Sequence, residues 1–148
     1  MRLSIIPKNE LSATQLGEAA TRIFAPENVA DVGPRYMWNR PEYDHGHLAL
    51  FDAETGDFVG TVYCVLIPPV AQDFTWWLDA PMRKKGYWRA LADDLARFLR
   101  KRHRIEKIGL IVFGKQHRPA SLKIAERLRE NFEKKAPVGQ PSRGGAGK

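Results

Sequence analysis

The chain has 148 residues, a single cysteine, and 24 Lys+Arg against 17 Asp+Glu, a formal net charge of +7 at pH 7. That length suits one domain that buries a core without metal or disulfide staples, and the lone Cys64 excludes both an intrachain disulfide framework and a zinc cluster. No apolar run approaches the length of a membrane-spanning helix and nothing resembles a signal peptide, so the expectation is a soluble, cytoplasmic protein. The positive excess favours acidic partners, nucleic acid among them, without demonstrating any.

Arg2 to Ile6 reads as a short strand that Pro7 breaks. Ser12 is a plausible N-cap for a helix through Phe24, with Leu16, Ala19, Ala20 and Ile23 on one face. Residues 27–46 hold Pro34 and Pro41 among the aromatics Tyr36, Trp38 and Tyr43, and read as a long loop with at most one short helix. Long loops in compact domains are often functional. His47–Asp52 and Phe58–Ile67 are strands joined by the glycine-containing hairpin signal Ala53-Glu54-Thr55-Gly56-Asp57. Cys64 lies inside the second of these and reads as a small core residue. Pro68-Pro69 end that strand, and Asp73–Leu78 is the next.

The segment after it organises the chain. The aromatic run Phe74, Trp76, Trp77 ends at Pro81, a cationic loop Arg83-Lys84-Lys85-Gly86 follows, and Trp88, Leu91, Leu95, Phe98 and Leu99 then recur at helical spacing to about Arg102. A first helical turn is positive and should attract carboxylates, yet this one carries cations. Such a turn, with a glycine for close approach, outlines a phosphate or pyrophosphate site. Ile105–Phe113 reads as a strand, parallel to the preceding one through a right-handed crossover. Pro119, acceptable in a first turn, opens a last helix to about Glu133. Residues 1–136 form one domain in this reading, and the basic, glycine-rich stretch 137–148 is expected to be disordered. The architecture is α/β, a mixed central sheet with helices on both faces.

Arg83-Lys84-Lys85-Gly86-Tyr87-Trp88 resembles the R-x-x-G-x-[GA] loop of the GNAT acyltransferases, and the order of elements from about Leu48 to Leu128 extends the resemblance. It implies that the loop (Arg83, Lys84, Lys85, Gly86, Tyr87, Trp88) cradles the pyrophosphate of acetyl-CoA. It also implies that the backbone of Trp77, Leu78 and Asp79 pairs with the pantetheine arm like an added strand, and that residues 27–46 help form the acceptor cleft. The sequence departs from the family pattern in four places. Trp88 replaces a small residue, Arg118 an asparagine that contacts the cofactor, and Ala125 a tyrosine that protonates the departing thiolate; His117-Arg118 at the helix start offers instead a cationic contact for a CoA phosphate. Arg129-Glu130 replace a Gly-Phe pair, after which the chain lacks room for two further strands. A truncated sheet edge, a strand donated by a second copy in a homodimer, or a degenerate enzyme each accounts for this.

The expected activity is transfer of an acetyl group from acetyl-CoA to an amine acceptor by direct attack. A catalytically degenerate GNAT-like module and a nucleic-acid-associated acyltransferase are the alternatives. Asp73 and His47 lead the candidate bases, with His45 and Asp52 behind them, although such residues near strand starts commonly serve turns. Ser121 can protonate or solvate the thiolate, although a helix-start serine is commonly a cap. No metal-ligand cluster and no Ser/His/Asp arrangement stands out.

Overall fold

A computed structural model describes residues 1–111 and 118–133. Five strands, β1 (Leu3–Pro7), β2 (His47–Asp52), β3 (Phe58–Ile67), β4 (Val70–Leu78) and β5 (Lys107–Ile108), form one sheet in that order. β1 to β4 are antiparallel and β5 runs parallel to β4. The helices are α1 (Ala13–Ile23), α2 (Val32–Trp38), α3 (Tyr87–His103) and α4 (Arg118–Glu133).

The two layers follow from strand alternation. α1 and α2 bring Ala19, Ile23 and Trp38 against Ala49, Phe51, Phe58 and Trp77 on one face. α3 and α4 bring Leu91, Leu95, Leu99, Ile124 and Leu128 against Leu48, Leu50, Val62 and Phe74 on the other. Full burial of each such leucine contributes about 1.5–3 kcal/mol. Cys64 is part of the second core, as expected, and burial pushes its thiol up to about 12. Gly60 is required where β3 meets β4, because a Cβ there would lie 2.0 Å from the Trp77 carbonyl oxygen.

Local signals set most element ends. Ser12 caps α1 in a reciprocal capping box with Gln15. Pro7 ends β1 at an edge of the sheet, where a missing N–H is tolerated. Residues 27–46 are more ordered than a loop: α2 and two short 3-10 turns, Pro26–Asn28 and Pro41–Tyr43, occupy them. β4 starts at Val70, earlier than Asp73, because Asp73 is a bulge within the strand and not its beginning. The strand expected over Ile105–Phe113 is described as β5 and an isolated bridge from Phe74 to Ile111, and residues 112–113 lie outside the described residues. The expected tail, 137–148, lies outside them as well.

Candidate functional site

The site begins at the Asp73 bulge. Asp73 has a φ of 58°, and the amides of Asp73 and Phe74 both donate to the carbonyl of Leu110, at 2.7 and 3.3 Å. Described pairing of β4 with β5 ends just beyond, at the Phe74–Ile111 bridge. The amide of Asp79 donates to Val59 of β3 at 2.8 Å, so by alternation Trp77 and Thr75 also face β3, while Trp76 and Leu78 turn their backbone groups outward. Among the described residues no strand lies beside that outward edge. Of the expected backbone contacts Trp77, Leu78 and Asp79, Leu78 therefore lies on the open side, and Trp76, missed by the sequence reading, shares it.

The chain leaves β4 through a 3-10 turn, Ala80–Met82, and enters α3 through Gly86 at φ 83°. No side chain caps this helix start and its first turn holds no acidic residue. The first amides of α3 have no intrahelical partner. A Cβ built on Gly86 would meet nothing within 4 Å, so space stands open beside Gly86 at this helix start. Lys84 and Lys85 are exposed beside it. Tyr87 turns inward: its hydroxyl donates to the buried Asp52 carboxylate at 2.6 Å. That bond pushes the Asp52 carboxyl down, and burial pushes the phenol up to about 12. Asp52 also accepts from the amides of Glu54 and Thr55, so it anchors the β2–β3 turn and the start of α3. Trp88 is half-buried against the α3/α4 core, with Arg89 and Lys123 over its ring.

Arg83 sits differently from its two lysine neighbours. Its Nε donates to the Leu78 carbonyl at 2.8 Å, and its terminal nitrogen pairs with Asp31 at 2.5 Å. Asp31 also accepts from Trp77 Nε1 at 3.0 Å. Asp79, 1% exposed, is held by Arg22 at 2.7 and 3.0 Å and by Asn28 at 2.8 Å, and its carboxylate raises the Arg22 guanidinium further. These two networks lock the segment before α2 onto the end of β4. Neither Asp31 nor Asn28 carried a sequence signal, since each acts across about fifty residues of chain.

The α1/α2 face beside the bulge carries a second cluster. Tyr63 of β3 stands opposite Thr75 of β4 and His47 of β2. Its ring packs edge-on against Tyr43 and His47, at centroid distances of 5.2 and 6.1 Å, and His47 packs edge-on against Trp38 at 5.2 Å. Burial chiefly, with Tyr43 and Asp73 among the charges nearby, raises the Tyr63 phenol. Asp73 and His47 are thus brought to the surroundings of one tyrosine. His47 is 1% exposed, its Nδ1 has no partner among the described residues, and burial and Lys8 push its imidazole down to about 4. It is neutral at pH 7.

Ser121 lies on the opposite face, where its hydroxyl accepts a hydrogen bond from Trp76 Nε1 at 3.2 Å. The three catalytic candidates therefore flank the open edge of β4 from its two sides. Ala125 is buried among apolar neighbours in α4. Arg118 opens α4, and its side chain lies outside the described residues. Among the described residues no group of His, Cys, Asp and Glu could hold a metal ion, and no helix is long and apolar enough to cross a membrane.

A family model described as the acetyltransferase (GNAT) family matches residues 17–128. No curated protein matches the chain. Solved structures of similar fold include Campylobacter jejuni N-acetyltransferase PseH in complex with acetyl coenzyme A. It shows 11% identity and a TM-score of 0.54, over 84% of this chain and 85% of that one. A GNAT-family acetyltransferase from Bacillus anthracis shows 12% identity and a TM-score of 0.60, over 86% and 79%. An acetyltransferase from Agrobacterium tumefaciens shows 20% identity and a TM-score of 0.54, over 86% and 78%. At these identities the likeness to solved structures is one of fold, and the family match covers well over half of the sequence. The chain belongs to the acetyltransferase (GNAT) family.

Proposed function

We propose that this chain is an acetyl-CoA-dependent N-acetyltransferase acting on an amine acceptor. One observation carries the reading. The uncapped, acid-free start of α3, with open space over Gly86, lies next to the outward edge of Trp76 and Leu78. An anion fits the first feature and an amide-bearing arm fits the second. The bound donor of PseH supports the same assignment here.

In this reading the amides from Gly86 to Arg89 hold the pyrophosphate, with Lys84 and Lys85 screening its charge, while the Lys85 amide is held by the Met82 carbonyl. Arg83, engaged with Asp31 and Leu78, shapes the loop and contributes its field. Acetyl-CoA supplies an activated acyl thioester. The Leu78 amide is oriented to polarise that carbonyl, and fixed donors of this kind serve best where charge develops. Positioning of the amine is worth several kcal/mol when geometry is good. Asp73, half-buried at the bulge, accepts the proton that the amine loses. His47, neutral and buried, is the second candidate base, with Tyr63 beside it. Ser121 already accepts from Trp76, which leaves its own proton to donate toward the departing thiolate.

Titration of acetyl-CoA, followed by tryptophan fluorescence or heat, tests the donor site. Gly86→Asp should abolish binding, because a side chain at φ 83° is strained and a like charge is set beside the phosphates. Unchanged binding by a folded Gly86→Asp protein sinks the assignment. Asp73→Asn should lower thiol release by about 10²–10⁴-fold at unchanged acetyl-CoA affinity. A second reading, a binding module without turnover, is favoured by buried Ala125 in place of a proton donor. Tight acetyl-CoA binding with no thiol release from amines or peptides would establish it.

A further inference from the structure

The opposite end of α3 is where the molecule concentrates positive charge. Residues 97–107 read RFLRKRHRIEK, and Arg97, Lys101 and Arg104 fall at i, i+4 and i+7, on one side of the helix. Two adjoining surface depressions share Lys101: one is lined by Arg2, Arg97 and Arg102, the other by Arg100, Arg104 and Glu106. The strip is therefore continuous from β1 to the end of α3. Its near end, Arg97, lies about 16 Å along the helix from Gly86, and its far end about 25 Å, the length of a helix of 17 residues.

Local structure accounts for part of this charge. Asp94 pairs with Arg2 and Arg97, and Glu10 pairs with Arg102. Cations also suit a helix C-terminus, but that end is worth only about half a negative charge. Lys101 and Arg104 have no ion-pair partner among the described residues, and both are exposed. Arg100 has neutral partners, the Asn131 carbonyl and the Phe132 ring. Arg104, moreover, caps the helix at φ 55°, a conformation that glycine adopts with less strain. An exposed cation stands there instead.

We propose that this strip docks the phosphate backbone of nucleic acid, by charge and without reading bases. From Arg97 to Arg104 the helix rises about 10 Å, which faces about three phosphates of one strand at 3.4 Å each. The large exposed apolar residues, Val29, Val32, Tyr36 and Leu110 among them, all lie outside residues 97–107. A surface that inserts into a membrane would present exposed apolar side chains here, and a protein partner would need a buried anchor. A polymer of regular, dense charge needs neither. α3 is packed against β1 and α4, so it presents a strip and not a protruding helix that could enter a groove.

Fluorescence anisotropy with short mixed-sequence RNA and DNA duplexes tests this on the full chain. Both should bind within about threefold of each other and weaken by about 40-fold between about 50 and 200 mM salt, the slope for three phosphate contacts. Lys101→Glu combined with Arg104→Gly should weaken binding at least ~10-fold and lower the slope by about two. Acetyl-CoA titration should be unchanged. A charge-matched control on α4, Lys123→Glu with Arg129→Ala, should retain affinity within about threefold. Equal loss in the control, no duplex binding at low salt, a strong preference for one nucleic acid, or tighter binding to polyglutamate or phosphatidylserine vesicles would each overturn the proposal. If the double variant does not fold, Lys101→Ala alone should lower the slope by about one.

Discussion

The two faces of the sheet are built on different terms. Under α3 and α4 the apolar cluster is the larger, and its polar ties, Tyr87–Asp52, Asp94 with the Leu3 amide, and Asp93 with Arg127 and Asn131, stand around it. Under α1 and α2 the apolar cluster is smaller, and it is ringed by Arg22–Asp79–Asn28, by Arg83–Asp31–Trp77, and by the His47–Tyr63–Tyr43 rings. Apolar packing is non-directional, whereas ion pairs and hydrogen bonds fix position at small net gain. The difference assigns stability chiefly to the first face and the placing of candidate chemistry to the second.

Truncation in the first face should have the largest effect. Leu95→Ala, at a fully buried α3 position, should lower unfolding free energy by about 2–5 kcal/mol in denaturant titrations. A smaller loss than any substitution under α1 and α2 would break the comparison.

Acid should expose the second face. The His47 imidazole, ordinarily near 6.5, is pushed down to about 4 in the folded chain, chiefly by burial. Between those values the unfolded chain binds more protons. Stability is therefore complete above pH 6.5 and lost as pH falls toward 4, by roughly 3 kcal/mol. His47→Phe should flatten this window in stability measured against pH, while a Leu95→Ala protein keeps it.

The Tyr87–Asp52 tie of the first face sharpens the contrast. Tyr87→Phe removes one bond to a buried carboxylate and should cost about 1–3 kcal/mol in thermal or denaturant melts. Asp52 then loses a group that holds its pKa down, so the stability this carboxylate adds above its ordinary pKa, lost on acidification, should shrink. Deleting residues 137–148 should have the smallest effect, leaving the thermal midpoint and acetyl-CoA affinity nearly unaltered. That stretch has few apolar residues to offset its own ordering entropy.

Legibility in the sequence divides along the same line. The first face is made of periodic signals: Leu91, Leu95 and Leu99 on α3, alternating Leu48 and Leu50 on β2, and the glycine before α3. Each needs only nearby residues to be read. Residues 27–46 read as loop because α2 is short and proline-bearing, and because its order comes from partners far along the chain, Asp31 on Arg83 and Asn28 on Asp79. The bulge at Asp73 was equally hidden. An aspartate tolerates a positive φ, but nothing in Gln72-Asp73-Phe74 announces that the Leu110 carbonyl will take two amides. Hence Trp76 and Leu78 could not be told apart from Trp77 and Asp79 by pattern alone. Asp73, His47 and Ser121 stood out by residue type, and their arrangement about one edge required the fold.

The bulge also imposes a rhythm on amide protons. Within the last residues of β4, alternate N–H groups face β3 and the side on which no strand lies among the described residues. In deuterated buffer Trp77 and Asp79 should exchange slowly, while Trp76 and Leu78 exchange at rates closer to those of a surface loop. Acetyl-CoA should slow that second pair selectively, turning a two-beat pattern into uniform protection.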